Sequence, residues 1–220
     1  MGEEEYLTFS LPKLGMPSYI TKNDYIEEVH EWEPFIPPNA TKLILGTFPT
    51  AKRNRGAYSF FYPNPNNRFW STIFHVAGKK LSDYEDADPI SVRKQILTQL
   101  NLGIADMGFR VLRQKSSSSD SHLFPLEYKN ILLLLDQCST IQKIIITSSS
   151  GANSALAWFD HYCSLNGIIT KYADRVKIPF EFEFVFQDRV LLVCVVSSCS
   201  QLSPYAGETL CDMYEKAIIG

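Results

Sequence analysis

Short apolar runs alternate along the chain with segments in which apolar side chains recur at helical spacing. Residues 42–46, 102–106 and 143–147 are apolar stretches of strand length, which is typical of strands buried on both faces of a parallel sheet. The segments between them repeat apolar positions every three or four residues and therefore predict helices. This alternation predicts an α/β fold, a three-layer α/β/α sandwich with a mostly parallel central sheet.

Proline residues indicate where three of the helices begin. Asn64-Pro65 has the form of an N-cap followed by proline at the first helical position, and the apolar periodicity behind it runs to about Gly78. Asp88-Pro89 repeats this signature, and Pro125 predicts a helix that runs to Leu135. The helices predicted from periodicity alone span residues 155–162 and 206–218.

The last strands are predicted to form an antiparallel hairpin added to the sheet. Phenylalanine occupies every second position from 180 to 186, residues 187–189 turn the chain, and an apolar run follows over 190–196. A row of aromatic side chains could stack on nucleic-acid bases, but a row with a period of two on a strand more often packs a core. We therefore assign these phenylalanines to the core.

Length and composition set the class of protein. The 220 residues are 45% hydrophobic and contain no obvious linker, so we expect a single domain over residues 1–220. Residues 1–40 are rich in proline and aromatic side chains without periodicity, which predicts an N-terminal wrapping arm. We find no apolar run of membrane-spanning length and no signal segment, and we expect a cytoplasmic monomer with no membrane association. The five cysteines form no C-x-x-C pair, which predicts free thiols.

The charge of the chain does not by itself indicate a nucleic-acid partner. The formal net charge is -3, whereas contacts from clustered lysine and arginine supply most sequence-independent affinity for DNA. Basic side chains do form two clusters, Lys52, Arg53 and Arg55 in the first and Arg110, Arg113 and Lys115 in the second. These clusters are either DNA contacts or solvated loop charges.

Ligands of open α/β sheets bind beyond the carboxyl ends of the strands, so the loops that follow the predicted strands are the candidate sites. In the first loop, Gly46 and Pro49 allow a sharp turn that can aim backbone N–H groups at a carbonyl or a developing anion. The loop over residues 197–204 carries small hydroxyl side chains and is a candidate phosphate clamp. Each of these signals is also common in ordinary loops.

The order of five short motifs is more specific than any one of them. The motifs are Gly46-Thr47-Phe48-Pro49, Phe-Tyr-Pro-Asn-Pro-Asn-Asn-Arg-Phe-Trp at 61–70, Gly103-Ile104-Ala105-Asp106, Ser119-Asp120-Ser121 and Ser198-Cys199-Ser200. In this order they resemble the mismatch-specific uracil-DNA and hypoxanthine-DNA glycosylases of the uracil-DNA glycosylase superfamily. The resemblance spans about residues 37–204 and implies the fold of that superfamily.

The resemblance also implies roles for individual residues. Phe48 stands where the mismatch-specific uracil enzymes carry an asparagine that activates water, and resemblance to the hypoxanthine-type branch transfers the catalytic role to Asn67. We expect Asn67 in the first turn of a helix, where backbone donors and the helix dipole favour a developing negative charge. Its amide can hold a water in line with the anomeric carbon but cannot deprotonate it. The alternative for Asn67 is a helix-capping or surface residue.

Further residues are assigned to the base pocket and to DNA. Tyr62 matches the aromatic residue that stacks on the flipped base, although it could instead be a core tyrosine. The expected base pocket comprises Gly46, Thr47, Phe48, Pro49 and Tyr62. The expected DNA contacts are Ser198 and Ser200 to phosphates, Leu202 as a wedge in the base stack, and Arg53 and Arg55 in the first basic cluster.

These assignments predict a monofunctional DNA glycosylase of base excision repair. Its substrate would be DNA containing a deaminated base, hypoxanthine or uracil, which is flipped out and released by hydrolysis of the N-glycosidic bond. The family works without a cofactor, and since no cysteine lies in the first half of the chain, we predict neither an iron–sulfur cluster nor another metal. The main alternative is a superfamily member that binds nucleic acid without cleaving it. A serine hydrolase is disfavoured because the chain lacks Gly-x-Ser-x-Gly.

Overall fold

A computed structural model describes residues 6–7, 20–21, 24–115, 117, 119–173 and 177–220. The strands of this part of the chain are β1 (Tyr6–Leu7), β2 (Ile20–Thr21), β3 (Tyr25–Val29), β4 (Lys42–Gly46), β5 (Leu102–Asp106), β6 (Gly108–Gln114), β7 (Leu123–Tyr128), β8 (Lys143–Ile146), β9 (Phe180–Phe186) and β10 (Arg189–Val195). The α-helices are α1 (Phe69–Val76), α2 (Pro89–Gln99), α3 (Ile131–Gln137), α4 (Ala155–Leu165) and α5 (Gly207–Ile218). Among these residues we find no helix with the length and apolar character needed to cross a bilayer.

The central sheet has five strands in the order β5-β4-β8-β10-β9. Strand β4 runs parallel to both β5 and β8, and β10 runs parallel to β8. Strand β9 is antiparallel to β10 and forms one edge of the sheet. The prediction of a mostly parallel sheet with an added antiparallel hairpin is confirmed.

Two apolar cores lie on opposite faces of this sheet. Successive residues of β4 belong to opposite cores. Ile44 packs with α1, α2 and α5, whereas Leu43 and Leu45 pack with α3 and α4. This confirms the predicted three layers, because each strand supplies apolar side chains to both faces. The phenylalanine row of β9 also belongs to the core: Phe182, Phe184 and Phe186 are buried in the cluster that contains α4.

Helix α1 begins later than the sequence predicts. The expected start at Asn64-Pro65 is wrong, because Asn64 instead closes a turn in which its side chain and its carbonyl accept the amides of Asn66 and Asn67, each at 2.9 Å. Asparagine favours this kind of turn as strongly as it favours N-caps, so the two are not distinguished by residue type. The α2 start is confirmed, with Asp88 Oδ2 accepting from the Ser91 amide at 2.7 Å.

A second, antiparallel sheet of order β3-β6-β7 is present and was not predicted. Its strand β6 lies within the segment 106–120, which the sequence predicted to be a loop. The helix predicted over residues 125–135 is also wrong, since Pro125 lies in β7 and the helix there, α3, begins only at Ile131. Strand β7 is an edge strand of this sheet, where a proline lacking its N–H is tolerated.

The predicted N-terminal arm is described only in part, because residues 1–5, 8–19 and 22–23 lie outside the described residues. Strand β3 belongs to it and pairs with β6. Phe35 exchanges two backbone hydrogen bonds with Ile104, at 3.0 and 2.9 Å, and so pairs with the β5 edge of the central sheet. Paired backbone groups at a sheet edge cannot recruit a strand from another molecule, so this contact protects β5.

Candidate active site

A cleft of about 1210 Å³ opens at the carboxyl ends of β4, β5, β8 and β10. Loops after each of these strands contribute to its wall, as the topology of a parallel sheet requires. The residues assigned from the sequence that line it are Thr47, Phe48, Pro49, Arg53, Arg55, Tyr62, Asn67, Ser198, Ser200 and Leu202. Residues separated by up to 155 positions, from Thr47 to Leu202, thus face one cavity.

Gly46 does not line the cleft but allows two polar side chains to meet behind it. A Cβ atom at this position would lie 2.3 Å from Asp106 Oδ1 and 2.9 Å from the Tyr62 hydroxyl. Both distances are shorter than carbon–oxygen contacts in folded proteins, so only glycine fits here without displacing a neighbour. The glycine of the first motif therefore makes room for Asp106 and Tyr62.

Asp106 and His30 form a buried pair at the end of β5. The His30 Nε2 atom lies 2.9 Å from Asp106 Oδ2, and the backbone N–H of Trp32 donates to His30 Nδ1 at 3.1 Å. Since Nδ1 accepts a hydrogen, the neutral ring carries its proton on Nε2 and donates it to the carboxylate. Sequence analysis gave neither residue a role. The available signal was an aspartate that ends a fully apolar strand, beside the strand that ends in Gly46.

Tyr62 has an unusual backbone and is held on several sides. Its φ angle of 51° lies in the left-handed region, which is costly for a residue with a large side chain. Its ring stacks on Phe69 with centroids 3.8 Å apart, and its hydroxyl lies 3.1 Å from Thr147 Oγ1. Burial, reinforced by the nearby charge of Asp106, raises the pKa of Tyr62 well above its usual value. The phenol therefore stays protonated and can act as a hydrogen-bond donor.

Asn67 lies just before α1 rather than in its first turn, so this part of the prediction is wrong. Its Oδ1 atom accepts from the Phe69 amide at 2.9 Å, a capping contact that the sequence left open as the alternative. No hydrogen bond joins Asn67 Nδ2 to any other described residue. The amide group lines the cleft and keeps two hydrogens available for a ligand or a water.

Arg68 fastens the serine-rich loop over residues 197–204 to the start of α1. Its backbone N–H donates to the Cys199 carbonyl at 2.9 Å, and its guanidinium donates to the carbonyl of Ser200 and, at 3.4 Å, to that of Ser203. In the loop, Ser198 Oγ and Ser200 Oγ each accept a backbone amide at 3.1 Å. Their hydroxyl hydrogens remain free to be donated to an anion. Leu202 projects from this loop with 90% of its surface exposed.

Two arginines of the second basic cluster, Arg110 and Arg113, form ion pairs within the protein. Arg113 is 1% exposed, lies 3.0 Å from Glu28 and donates to the Pro49 carbonyl at 2.6 Å. It holds the first loop in place, and its interpretation as a DNA contact or a solvated charge is wrong. Arg110 is more exposed but pairs with two glutamates, Glu27 and Glu127, at 3.3 and 3.1 Å.

The first basic cluster remains at the cleft. Arg53 and Arg55 line the cavity wall, and their role as DNA contacts stays a prediction. Glu31 partly neutralises this cluster, since its carboxylate lies 3.1 Å from Arg55 and 2.5 Å from Lys52. The positive potential of this wall is therefore weaker than the count of basic residues suggests.

Asp120 supplies a second carboxylate to the cleft. Thr47 Oγ1 donates to Asp120 Oδ2 at 3.0 Å, and the neighbouring Ser121 carbonyl accepts from Asn153 Nδ2 at 3.1 Å. Much of the residue is open to solvent, but its carboxyl group is packed against the cleft wall, and this burial raises its pKa to about 6. The Thr47 hydrogen bond and the Arg113 charge oppose this rise, whereas Asp106 adds to it.

Within the described ranges, we find no group of three or more histidine, cysteine, aspartate or glutamate side chains arranged to hold a metal ion. The absence of a metal requirement stays a prediction.

No protein-family model matches the chain, and no curated protein matches it. The chain is similar to the solution NMR structure of a "putative Uracil DNA glycosylase" from Methanosarcina acetivorans, at 20% identity and a TM-score of 0.47, over 67% of this chain and 83% of that one.

Proposed function

We propose that the protein is a monofunctional DNA glycosylase of base excision repair that removes a deaminated base, hypoxanthine or uracil, from DNA. The observation that carries the proposal is the convergence of motifs separated along the sequence on one cleft. Thr47, Tyr62, Asn67 and Ser198 all line it. Its volume of about 1210 Å³ exceeds that of typical small-ligand pockets, so a nucleotide extruded from a duplex fits within it.

In the proposed reaction each wall of the cleft has a separate task. Tyr62 stacks on the extruded base with the face not covered by Phe69. The Asn67 amide positions a water beside the anomeric carbon, and the hydroxyls of Ser198 and Ser200 donate to backbone phosphates. Water attack breaks the glycosidic bond and leaves an abasic site. We assign no lysine as a nucleophile, so strand cleavage is not expected.

The test of this function is abasic-site formation on labelled oligonucleotides that differ only in carrying uracil, hypoxanthine or xanthine. Alkali treatment after incubation reveals the product. We expect product from at least one lesion, and we expect Asn67→Ala to lower the single-turnover rate by about 100-fold, the usual cost of misplacing a reacting group. Asn67→Asp keeps the Oδ1 acceptor for the Phe69 amide and should lose activity without losing the cap.

Asn130→Ala is the matched control for Asn67→Ala. Asn130 caps α3, since its Oδ1 accepts from the Leu133 amide at 3.0 Å, and it lies outside the cleft. Its replacement should cost about 1 kcal/mol of stability, as loss of a helix cap does, and leave the rate unchanged. Equal losses of activity in the two alanine variants would show that Asn67 acts only by capping.

A second candidate function is binding of damaged DNA without cleavage. It is favoured by Phe48, which is 6% exposed and places a ring where the resembled uracil enzymes carry a water-activating amide. Glu31 also weakens the basic wall of the cleft. Tight binding to a lesion oligonucleotide, with enzyme in excess and no abasic product, would support this function over the first.

Leu202 provides a separate prediction about how the base is extruded. A leucine that is 90% exposed contributes little to stability, but it can fill the gap left in a base stack. We expect Leu202→Ala to lower the rate on duplex DNA by about tenfold and to leave the rate on single-stranded DNA and the melting temperature unchanged, because a single strand needs no wedge. Equal losses on both substrates would exclude the wedge role.

A further inference from the structure

The proposed reaction lacks a group that accepts the proton of the attacking water. The amide of Asn67 cannot accept it, and Phe48 offers no polar atom. Among the described residues that line the cleft, two carry carboxyl groups, Asp106 and Asp120, and none is a histidine or a glutamate. The choice between them follows from what surrounds each carboxylate.

Asp106 is buried, and one of its two carboxylate oxygens is held by a histidine inside the site. Its residue is 5% exposed, its Oδ2 atom is held by His30 at 2.9 Å, and its Oδ1 atom lies over Gly46. The Tyr62 hydroxyl approaches the same point above Gly46. These contacts fix the Asp106 carboxylate behind the first loop, whereas Asp120 is an exposed residue.

Asp120 is placed differently, at the open part of the cleft. One of its oxygens, Oδ2, accepts from Thr47, and the other makes no hydrogen bond within the described chain. Thr47 directly precedes Phe48, so Asp120 brings a carboxylate from a distant loop to the first loop, where position 48 itself lacks one. The loop that carries Asp120 is fixed by Ser119, whose hydroxyl accepts from the Ser121 amide, and by Asn153.

We propose that Asp120 is the catalytic general base of this site, an inference that rests on the proposed glycosylase function. As the water oxygen bonds to C1′ of the sugar, one water proton passes to the free oxygen of Asp120. The bond between C1′ and the base nitrogen breaks, and its electron pair leaves with the base. The base takes up a proton from solvent, Asp120 releases its proton to solvent, and the second water hydrogen stays on the new C1′ hydroxyl.

The electrostatic surroundings suit this role. Burial of the carboxyl group raises its pKa to about 6, with Asp106 adding to the rise and with Thr47 and Arg113 opposing it. His122, the nearest imidazole along the chain, bonds to Ser117 at 2.8 Å instead. A carboxylate with this pKa is mostly ionised at neutral pH and is a stronger base than an ordinary aspartate.

The test measures the single-turnover rate on the preferred lesion between pH 4.5 and 8.5. For the wild-type chain we expect the rate to fall about tenfold per pH unit below pH 6, as Asp120 becomes protonated. Asp120→Asn should lower the plateau rate by about 100-fold or more, abolish this acid limb and leave the DNA dissociation constant unchanged. Asp83→Asn, which changes an exposed aspartate outside the cleft, is the matched control and should behave as wild type.

A second variant separates a catalytic from a structural effect. Thr47→Val removes the hydrogen bond that lowers the Asp120 pKa, so whatever rate remains should show its acid limb at higher pH than wild type. If the wild-type chain forms product and Asp120→Asn forms it at the same rate, the inference about Asp120 fails while the proposed function stands. The inference also fails if Asp106→Asn loses the acid limb and Asp120→Asn keeps it. No product from the wild-type chain on any lesion would overturn the proposed function and this inference with it.

Discussion

Replacing Arg113 with methionine is expected to lower the free energy of unfolding by about 3–5 kcal/mol, the usual cost of removing one partner of a buried ion pair. The side chains of Arg113 and Glu28 are 2% and 12% exposed, so the variant leaves Glu28 without a countercharge in a poorly solvated place. It also removes the hydrogen bond to the Pro49 carbonyl, which fixes the loop over residues 47–50. Urea unfolding measures the loss directly.

Arg110→Met is the matched control, because Arg110 lies on the same strand, β6, but is 44% exposed. Its two ion pairs are open to solvent, and their loss should cost no more than about 1 kcal/mol. The double variant Arg113→Met/Glu28→Gln should regain part of the stability lost in Arg113→Met, since it removes the unpaired charge. Similar losses for Arg110→Met and Arg113→Met would contradict the assigned burial of the pair.

The substitution Gly46→Ala is expected to cost about 1–3 kcal/mol of stability and to lower the rate of the proposed glycosylase reaction by at least about 100-fold. The new methyl group would meet Asp106 Oδ1 at 2.3 Å and the Tyr62 hydroxyl at 2.9 Å. Neither group can retreat freely, because His30 holds Asp106 and the ring of Phe69 backs Tyr62. The added methyl group would therefore displace Asp106 and Tyr62, the side chains that shape the site.

Gly103→Ala offers a comparison on the neighbouring strand, β5. A Cβ atom there would lie 2.7 Å from the terminal methyl of Ile36, the end of a flexible side chain that can rotate away. We expect Gly103→Ala to alter stability by a smaller amount than Gly46→Ala and to keep the full rate. Melting temperature and single-turnover rate, measured on both variants, distinguish crowding of the site from crowding of the core. Full activity in Gly46→Ala would show that Asp106 and Tyr62 need not keep their positions.

The sequence predicts the central sheet well because its strands are buried on both faces. A run such as residues 42–46 has no other compact way to hide its side chains, and the flanking helical periodicity completes the layers. The β3-β6-β7 sheet escaped prediction because its strands mix apolar and charged positions. Arg113 in β6 is a buried charge, and burial patterns of this kind break the alternation by which half-exposed strands are recognised.

The candidate site, like the fold, was predicted from the sequence only in part. The loops that form the cleft follow from strand ends alone. The motifs at 46–49, 61–70, 119–121 and 198–200 lie wholly or partly on them, whereas the motif at 103–106 is part of β5. The contacts that define its chemistry do not follow, since His30 and Asp106 are 76 residues apart, and Thr47 and Asp120 are 73 apart. The start of α1 was misplaced by a turn that uses the same residue types as a cap, and this moved Asn67 out of the helix.

The attachment of the serine-rich loop to Arg68 has a consequence for protein engineering. All three of these hydrogen bonds end on main-chain carbonyls, of Cys199, Ser200 and Ser203. The side chains of residues 201 and 202 take no part in these hydrogen bonds or in those of the Ser198 and Ser200 hydroxyls, so positions 201 and 202 can be randomised together without dismantling the anchor. Selection from such a library would change the exposed tip of the loop, where Leu202 projects, while the interior of the protein stays as it is.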